Sequence, residues 1–381
     1  MNNFLAFEFY GYTLREIIPA AVLGITFVIQ LVYYLNRYSR IATYKQKVTK
    51  EQPPVSVVVV LEDSPAFVEE TLPLLLDQDY DEYEVVVVDY GSEPEVREAL
   101  EVCAAQYPHL KTTRINLDIK YKRRRKLALS VGIKAARYPH ILFTESYAYP
   151  VSPKWLPMMA KGFTTGEVVI GYANAEPKKG LVNKLIRCSR LMVSVRYLAA
   201  AIRKKAYKGI NSNIGFTSRL YFDNKGYNYQ KLNTGDDDLF IQQIATRKNP
   251  AVVLNPQATI REHIYGGLGA WWNERRYNTY TYRYYPVLVK TGIFTELLSR
   301  TLFFVSAACC IATLVPYLWM GTVALLLLRW LAVYYAIFRI CLRLGEQGLL
   351  FAFFLHDLVS PLSECLLSLS RKIRPSKGVW S

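Results

Sequence analysis

Gly235-Asp236-Asp237-Asp238-Leu239 sets three consecutive carboxylates against an apolar run, in a chain of 381 residues with 47 Lys and Arg against 31 Asp and Glu. Massed like charges beside apolar side chains repel one another and resist burial, so something must compensate them. Two readings are open. Acidic side chains suit the positive end of a helix macrodipole, which would make this a solvated helix start. Alternatively, one carboxylate is a general base and the others are its electrostatic neighbours, facing a polar substrate. Two histidines invite the same question. His263 has the chemistry of a metal ligand but also that of an ordinary packing histidine, and His356 beside Asp357 reads as structural.

The elements that would carry these residues alternate strand and helix. Val55 to Val60 is a β-branched run of the kind buried on both faces of a parallel sheet. A helix is expected over 65–78, a strand over 84–88 closed by Asp89-Tyr90-Gly91-Ser92, and a helix over 94–107. Another helix over 126–137 leads to a strand over 140–144, and a later strand is expected at 251–254. This alternation predicts an α/β, Rossmann-like domain with a nucleotide-sized crevice at the strand C-termini. No internal repeat or low-complexity segment occurs.

Flanking this domain are membrane signals. Residues 17–36 form 20 uncharged, mostly apolar positions, and 28 more lie between Arg300 and Arg329; both tracts are long enough to cross a bilayer. The length of the first, the mixed charges before it and the absence of a small-residue cleavage site predict an anchor and not a cleaved signal peptide. Pro316 to Gly321 is expected to break the second tract into spans of roughly 301–317 and 319–340, leaving Arg329 near mid-membrane and facing protein or water. In 348–369, Asp357, Ser360, Glu364 and Ser368 make a polar stripe on an apolar helix; with the basic stretch 371–377 behind it, this predicts an interfacial helix. Arg37 to Lys50 holds five basic residues and no acid, which puts the N-terminus outside and all that follows in the cytoplasm.

The net charge of +16 suits anionic lipid or phosphorylated substrates. Nucleic acid is set aside for want of a recognisable module. Lys178 to Lys208 carries ten basic residues and no acid, interleaved with Leu181, Leu185, Leu191 and Leu198, and reads as a basic amphipathic helix on a membrane surface. Tyrosines 277, 280, 282, 284 and 285 suit sugar stacking and an interfacial aromatic belt equally. The six cysteines show no metal-ligand spacing and fit free thiols in a reducing compartment.

In order and spacing, the anchor, the strand ending in Asp89-Tyr90-Gly91-Ser92, Phe143-Thr144-Glu145-Ser146-Tyr147, Gly235-Asp236-Asp237-Asp238 and Trp271-Trp272-Asn273-Glu274-Arg275-Arg276 resemble membrane-anchored bacterial members of glycosyltransferase family 2, over about residues 15–340. The resemblance implies a GT-A fold with transmembrane and interfacial helices: an anchor and linker over 1–50, a cytoplasmic glycosyltransferase-like domain over 51–292 and a C-terminal hairpin with interfacial helix over 293–381. It implies inverting transfer of a sugar from a nucleotide sugar to a lipid-linked glycan or polysaccharide at the bacterial inner membrane. It also carries over roles. Asp237 is the expected base beside Asp236 and Asp238. Asp89, Ser92, Arg125 and Glu145 would meet the donor, and Trp271, Trp272, Arg275 and Arg276 the acceptor. Glu145, with His263 as a further candidate, would hold Mg²⁺ or Mn²⁺.

The sequence departs from the family pattern in places. Leu61-Glu62-Asp63-Ser64 is a partial match at the first strand, Tyr90 stands where a second acid is usual, and Tyr147 replaces the second carboxylate of the D-x-D pair. A protonated phenol is a poor ligand for a hard cation, so weak or absent metal binding is expected. Two functions therefore follow: a working transferase in which Arg125 and its neighbours supplement or replace the metal, or an inactive glycosyltransferase-like subunit or regulator of a membrane glycan-assembly complex.

Overall fold

The computed structural model describes residues 8–9, 12–46, 49, 51–115, 124–229 and 235–373. A long N-terminal helix, α1 (Leu14–Leu31), continues through a wider-wound turn over Val32–Tyr38. Strands β1 (Val55–Leu61) and β2 (Tyr83–Asp89) follow, separated by a short helix, α2 (Leu72–Leu76). Then come α3 (Pro94–Gln106), β3 (Leu110–Arg114), α4 (Arg124–Ala135), β4 (His140–Glu145) and β5 (Ala148–Pro150). Strands β6 (Val168–Ile170) and β7 (Ala173–Ala175) lead into helix α5 (Leu181–Ile202), strand β8 (Ile214–Thr217) and helix α6 (Leu239–Ile244). Strands β9 (Pro250–Val252) and β10 (Ile260–Glu262) precede four helices, α7 (Leu268–Asn278), α8 (Val287–Ala312), α9 (Pro316–Leu344) and α10 (Leu350–Ile373).

Seven strands form one sheet in the order β9-β6-β8-β4-β1-β2-β3, parallel except where β8 runs against both neighbours. A second sheet orders β5-β10-β7. Every residue of β1 and β2 is buried, as the unbroken valine runs require of strands covered on both faces. Alternate side chains feed two cores. Val58, Val60, Val86 and Val88 join α4, α5 and the later half of α9, whereas Val57, Val59, Val85 and Val87 pack on α2 and α3. Helix α4 lies close enough on the sheet that a Cβ at Gly132 would come within 2.5 Å of Val58 Cγ1.

Among the described residues, four helices are long and apolar enough to cross a membrane: Leu14–Thr43, Val287–Ala312, Pro316–Leu344 and Leu350–Leu369. The break in the long apolar tract falls at residues 313–315 and Pro316 opens α9, where a ring without an N–H costs no helical bond. Helix α8 starts 14 residues before the expected 301 and stops five before 317, whereas α9 extends past both ends of the expected 319–340. Arg329 faces protein, as expected, but lies at a junction. On one side Leu23, Phe303, Ala307 and Cys310 form an apolar bundle core; on the other Val333, Ala336, Ile337 and Ile340 belong to the core of the large sheet. Between them Arg329 donates to Asp357 at 2.6 Å and to Gln30 at 3.1 Å. Arg300 donates to Ser360 at 2.7 Å, to Tyr34 at 2.9 Å and to Glu296. The polar stripe of α10 therefore points into the protein, leaving Phe351, Leu358, Val359, Leu362 and Leu366 outward.

Helix α5 corrects the reading of its segment as a lipid-facing surface. It is packed into the domain, with Leu191, Met192, Val195 and Leu198 in the core, and its arginines meet carboxylates of the same chain. Arg187 pairs with Glu346, Arg190 with Glu262 and Glu274, and Arg196 with Glu296. An excess of positive residues in sequence reads as a lipid face only when their partners, here 72 to 159 positions away, are not visible.

Candidate active site

Gly235, at φ +97°, turns the chain just ahead of the three aspartates that precede α6; a non-glycine residue would be strained there. The three carboxylates have separate environments. Asp236 accepts from Asn211 at 2.8 Å and from Arg125 at 3.1 Å. Asp238 caps α6 and accepts from Thr281 at 2.5 Å and Tyr285 at 2.7 Å, tying the loop to the 280–285 segment. Asp237 alone among them keeps appreciable side-chain exposure, 19%, and meets Lys208 at 2.6 Å. Burial pushes its carboxyl up to about 7, with Lys208 opposing the rise and the carboxylates of Asp238 and Asp236 adding to it.

All three line one open cavity of about 1460 Å³ that continues past the sheet ends to α8 and α10. Arg125, Glu145, His263, Trp271 and Arg275 line it too, along with Glu62, Tyr90, Lys208, Asn211 and Glu262. Asp89 and Ser92 are not among its lining residues; Asp89 Oδ1 accepts the backbone N–H groups of Gly91 and Ser92 at 3.2 and 2.9 Å and closes the turn. In their place Tyr90 reaches the cavity and donates to Glu62 at 2.6 Å. Trp272 and Arg276 also lie outside the described lining, though on the same helix as Trp271 and Arg275.

Glu145 ends β4 at the position expected to hold a cation. Both its oxygens are engaged by Arg125, one at 2.9 Å and the other closer. Burial raises its pKa, with Arg125 opposing. Tyr147 remains a phenol: desolvation of its hydroxyl end, then Glu145 and Glu262, push its pKa well above the ordinary value. His263 bonds Glu176 at 3.1 Å and packs on Tyr149. Among the described residues no group of three His, Cys, Asp or Glu is disposed to hold a metal. One carboxylate already forked to a guanidinium is not a fit for a divalent cation that needs several oxygen ligands.

Two residues that do not stand out in the sequence complete the site. Lys208 lies inside the stretch read as lipid-facing, yet its amine is the partner of Asp237. Glu262, at the end of β10, accepts from Ser212 at 2.5 Å and from Arg190; an isolated acid in an Arg-Glu-His triplet gave no signal of its own.

Residues 56–222 match the family model for glycosyl transferase family 2. No curated protein matches the chain. Among solved structures, the chain is similar to mannosyltransferase PcManGT from Pyrobaculum calidifontis in complex with GDP-Man and Mn²⁺, at 20% identity and a TM-score of 0.56 over 91% of this chain and 99% of that one. S. aureus TarS 1–349 in complex with UDP-GlcNAc also aligns, at 16% identity and a TM-score of 0.44 over 84% of this chain and 92% of that one. At such identity the likeness to PcManGT is one of fold, the GT-A arrangement.

Proposed function

We propose that this chain, which carries a glycosyl transferase family 2 domain, is a membrane-anchored inverting glycosyltransferase that moves a sugar from a nucleotide sugar to a hydroxyl of a membrane-associated acceptor. Asp237 carries the reading. It is a carboxylate open to a large cavity, held beside Lys208 and titrating near neutrality at about 7, where a general base works best. As the acceptor oxygen bonds to the sugar C1, its proton passes to Asp237. The C1–O bond to the diphosphate breaks, and the nucleoside diphosphate leaves with the electron pair. Asp236 and Asp238 have other tasks, the first anchoring Arg125 and the second fixing the loop.

At the donor end the positive charge comes from the protein. Arg125 sits between Glu145 and Asp236, and the neighbouring sequence from Lys120 to Lys126 adds more basic residues, of which 120–123 lie outside the described residues. A diphosphate that displaced Glu145 or Asp236 from this guanidinium would take over paired N–H donors without any cation. PcManGT was solved with Mn²⁺; in this chain the donor set argues for metal-free binding.

The same arrangement favours a second reading. Arg125 bridges Glu145 and Asp236 across the donor end, and a bridge that never opens would suit an inactive subunit of a glycan-assembly complex. Asp237→Asn separates the two. In a transferase it lowers turnover by about 10² to 10⁴ while nucleotide diphosphate affinity is kept, because the lost group acts in the transition state. If a stably folded Asp237→Asn protein supports normal glycan output in a deletion strain, the enzymatic reading fails.

A further inference from the structure

The cavity is larger than a nucleotide sugar needs, since sites for ligands of that size run to about 300–1,000 Å³ and this one holds about 1460 Å³. Its surplus is an arm between α8 and α10, walled by Phe294, Leu297 and Leu298 on one side and Pro361 and Cys365 on the other. This wall belongs to helices apolar and long enough to meet a bilayer. The arm is continuous with the space in front of Asp237.

Charge selects what enters. The described lining holds eight carboxylates against five lysine and arginine side chains, in a chain whose net charge is +16. On the side of the cavity toward the arm, every one of those cations is already matched: Lys208 to Asp237, Arg190 to Glu262 and Glu274, Arg196 to Glu296, Arg275 to Glu364 at 2.5 Å. An anionic head beside Asp237 would meet repulsion from that carboxylate and could recruit Lys208 only by taking it from the base itself, whereas Arg125 at the donor end can exchange carboxylates that are not the base. An anionic head would also make a base needless, because a phosphate already carries its charge. Trp271 and Tyr277 are also among the lining residues and add aromatic side chains of the kind that pack on sugar rings.

Building on the transferase reading above, we propose that the acceptor is an uncharged glycolipid, its sugar hydroxyl presented to Asp237 and its apolar chain lying between α8 and α10. The glycosidic bond forms at that hydroxyl and its proton goes to Asp237.

The test uses the full chain in nanodiscs and reads binding instead of turnover. An alkyl glucoside with a diazirine in its chain is photolysed against the protein and the labelled peptides are mapped. Saturable labelling of α8 and α10 is expected, competed by dodecyl glucoside, about tenfold less well by dodecyl phosphate and not by glucose at the same concentration. Leu297→Trp, which fills the arm, should cut labelling several-fold, and Cys365→Trp on the opposite wall provides the same readout should the first variant not fold. Equal or better competition by dodecyl phosphate overturns the uncharged head. Labelling that does not saturate, or that persists in a folded arm-filling variant, overturns the chain site. Because labelling needs no turnover, a failed Asp237→Asn assay and a failed lipid site give different results.

Discussion

At the scale of single residues, the proposed chemistry rests on Asp237 and Arg125, and each role makes a measurable claim. Asp237 is pushed up to about 7 chiefly by burial. A base works only when deprotonated, so kcat/KM should rise with pH along an acid limb near 7 and not near the 3.8 of an ordinary aspartate. Lys208→Met removes a neighbour that opposes the rise, so the limb should move to higher pH; an unchanged limb would mean that another group is titrating. Stability follows the opposite course. A carboxyl whose folded pKa exceeds its unfolded one favours the fold while protonated, and that contribution is lost as pH climbs from about 4 through about 7. Arg125 gives the second claim. If it holds the diphosphate as proposed, its charged hydrogen bonds would be worth about 1.5–3 kcal/mol, so Arg125→Gln should weaken nucleotide diphosphate binding by about tenfold or more. Titration calorimetry should find the unmodified protein indifferent to EDTA, and a large Mn²⁺-dependent gain would refute a guanidinium-based site. The sequence exposes the aspartate run because three acids in a row are rare beside apolar residues. It does not distinguish among them, since what separates Asp237 from its neighbours is the set of partners at 125, 208, 211, 281 and 285, which only folding brings together.

Among the elements, legibility follows length and composition. Strands β1 and β2 and helices α3 and α4 can be read nearly to their ends because valine runs and a proline-started helix carry their own signals. The three-residue strands β5, β7 and β10 cannot, because tertiary pairing and not a local pattern makes them. Helix α5 misleads for the same reason, its pairing acids being distant in sequence. One such acid, Glu346 between α9 and α10, is a node: Arg187 and Arg261 both donate to it, as do Tyr172 at 2.9 Å and Asn174 at 3.1 Å. Arg261 adjoins Glu262, so this loop from the helical bundle reaches to within one residue of the cavity wall. Removing the carboxylate leaves two buried guanidinium groups uncompensated, which costs about 3–5 kcal/mol. Glu346→Ala should therefore lower the thermal unfolding midpoint markedly, with Glu346→Gln milder because it keeps the acceptor oxygen. A midpoint unchanged in both would show that the node carries no stability.

For the whole molecule, the question is how the sheet domain sits on its helices. The segment that continues α1, the start of α8 and the end of α9 all join the sheet domain: Tyr38 and Ile41 share its core, Val289 and Ile293 pack against it, and Ile340 and Leu344 are buried in it. The 313–315 turn is thus the far tip of a hairpin, and the basic residues from Arg37 to Lys50 lead us to propose a cytoplasmic sheet domain. A reporter inserted at the tip should behave as external and one placed after Lys50 as cytoplasmic. Helix α10 decides the last point. By length and composition it could cross the membrane, yet it stays attached to the sheet domain along its length. Cys188 of α5 reaches the carbonyl of Leu349 at 3.7 Å, and fifteen residues on, Glu364 holds Arg275 of α7 at 2.5 Å. Midway, Asp357 meets Arg329 in the charged layer between the two cores. A helix crossing the bilayer would carry Glu364 about 20 Å away from the domain, at 1.5 Å of rise per residue, and could not keep the Arg275 pair. Helix α10 should therefore lie along the membrane surface, its outward Leu358, Leu362 and Leu366 in lipid and its polar stripe on the protein. A reporter fused after Ser381 should then be cytoplasmic, and Glu364→Ala should release the helix enough to raise its proteolysis without moving the reporter. An external C-terminal reporter would mean that α10 crosses, and the Arg275–Glu364 contact would have to be abandoned with it.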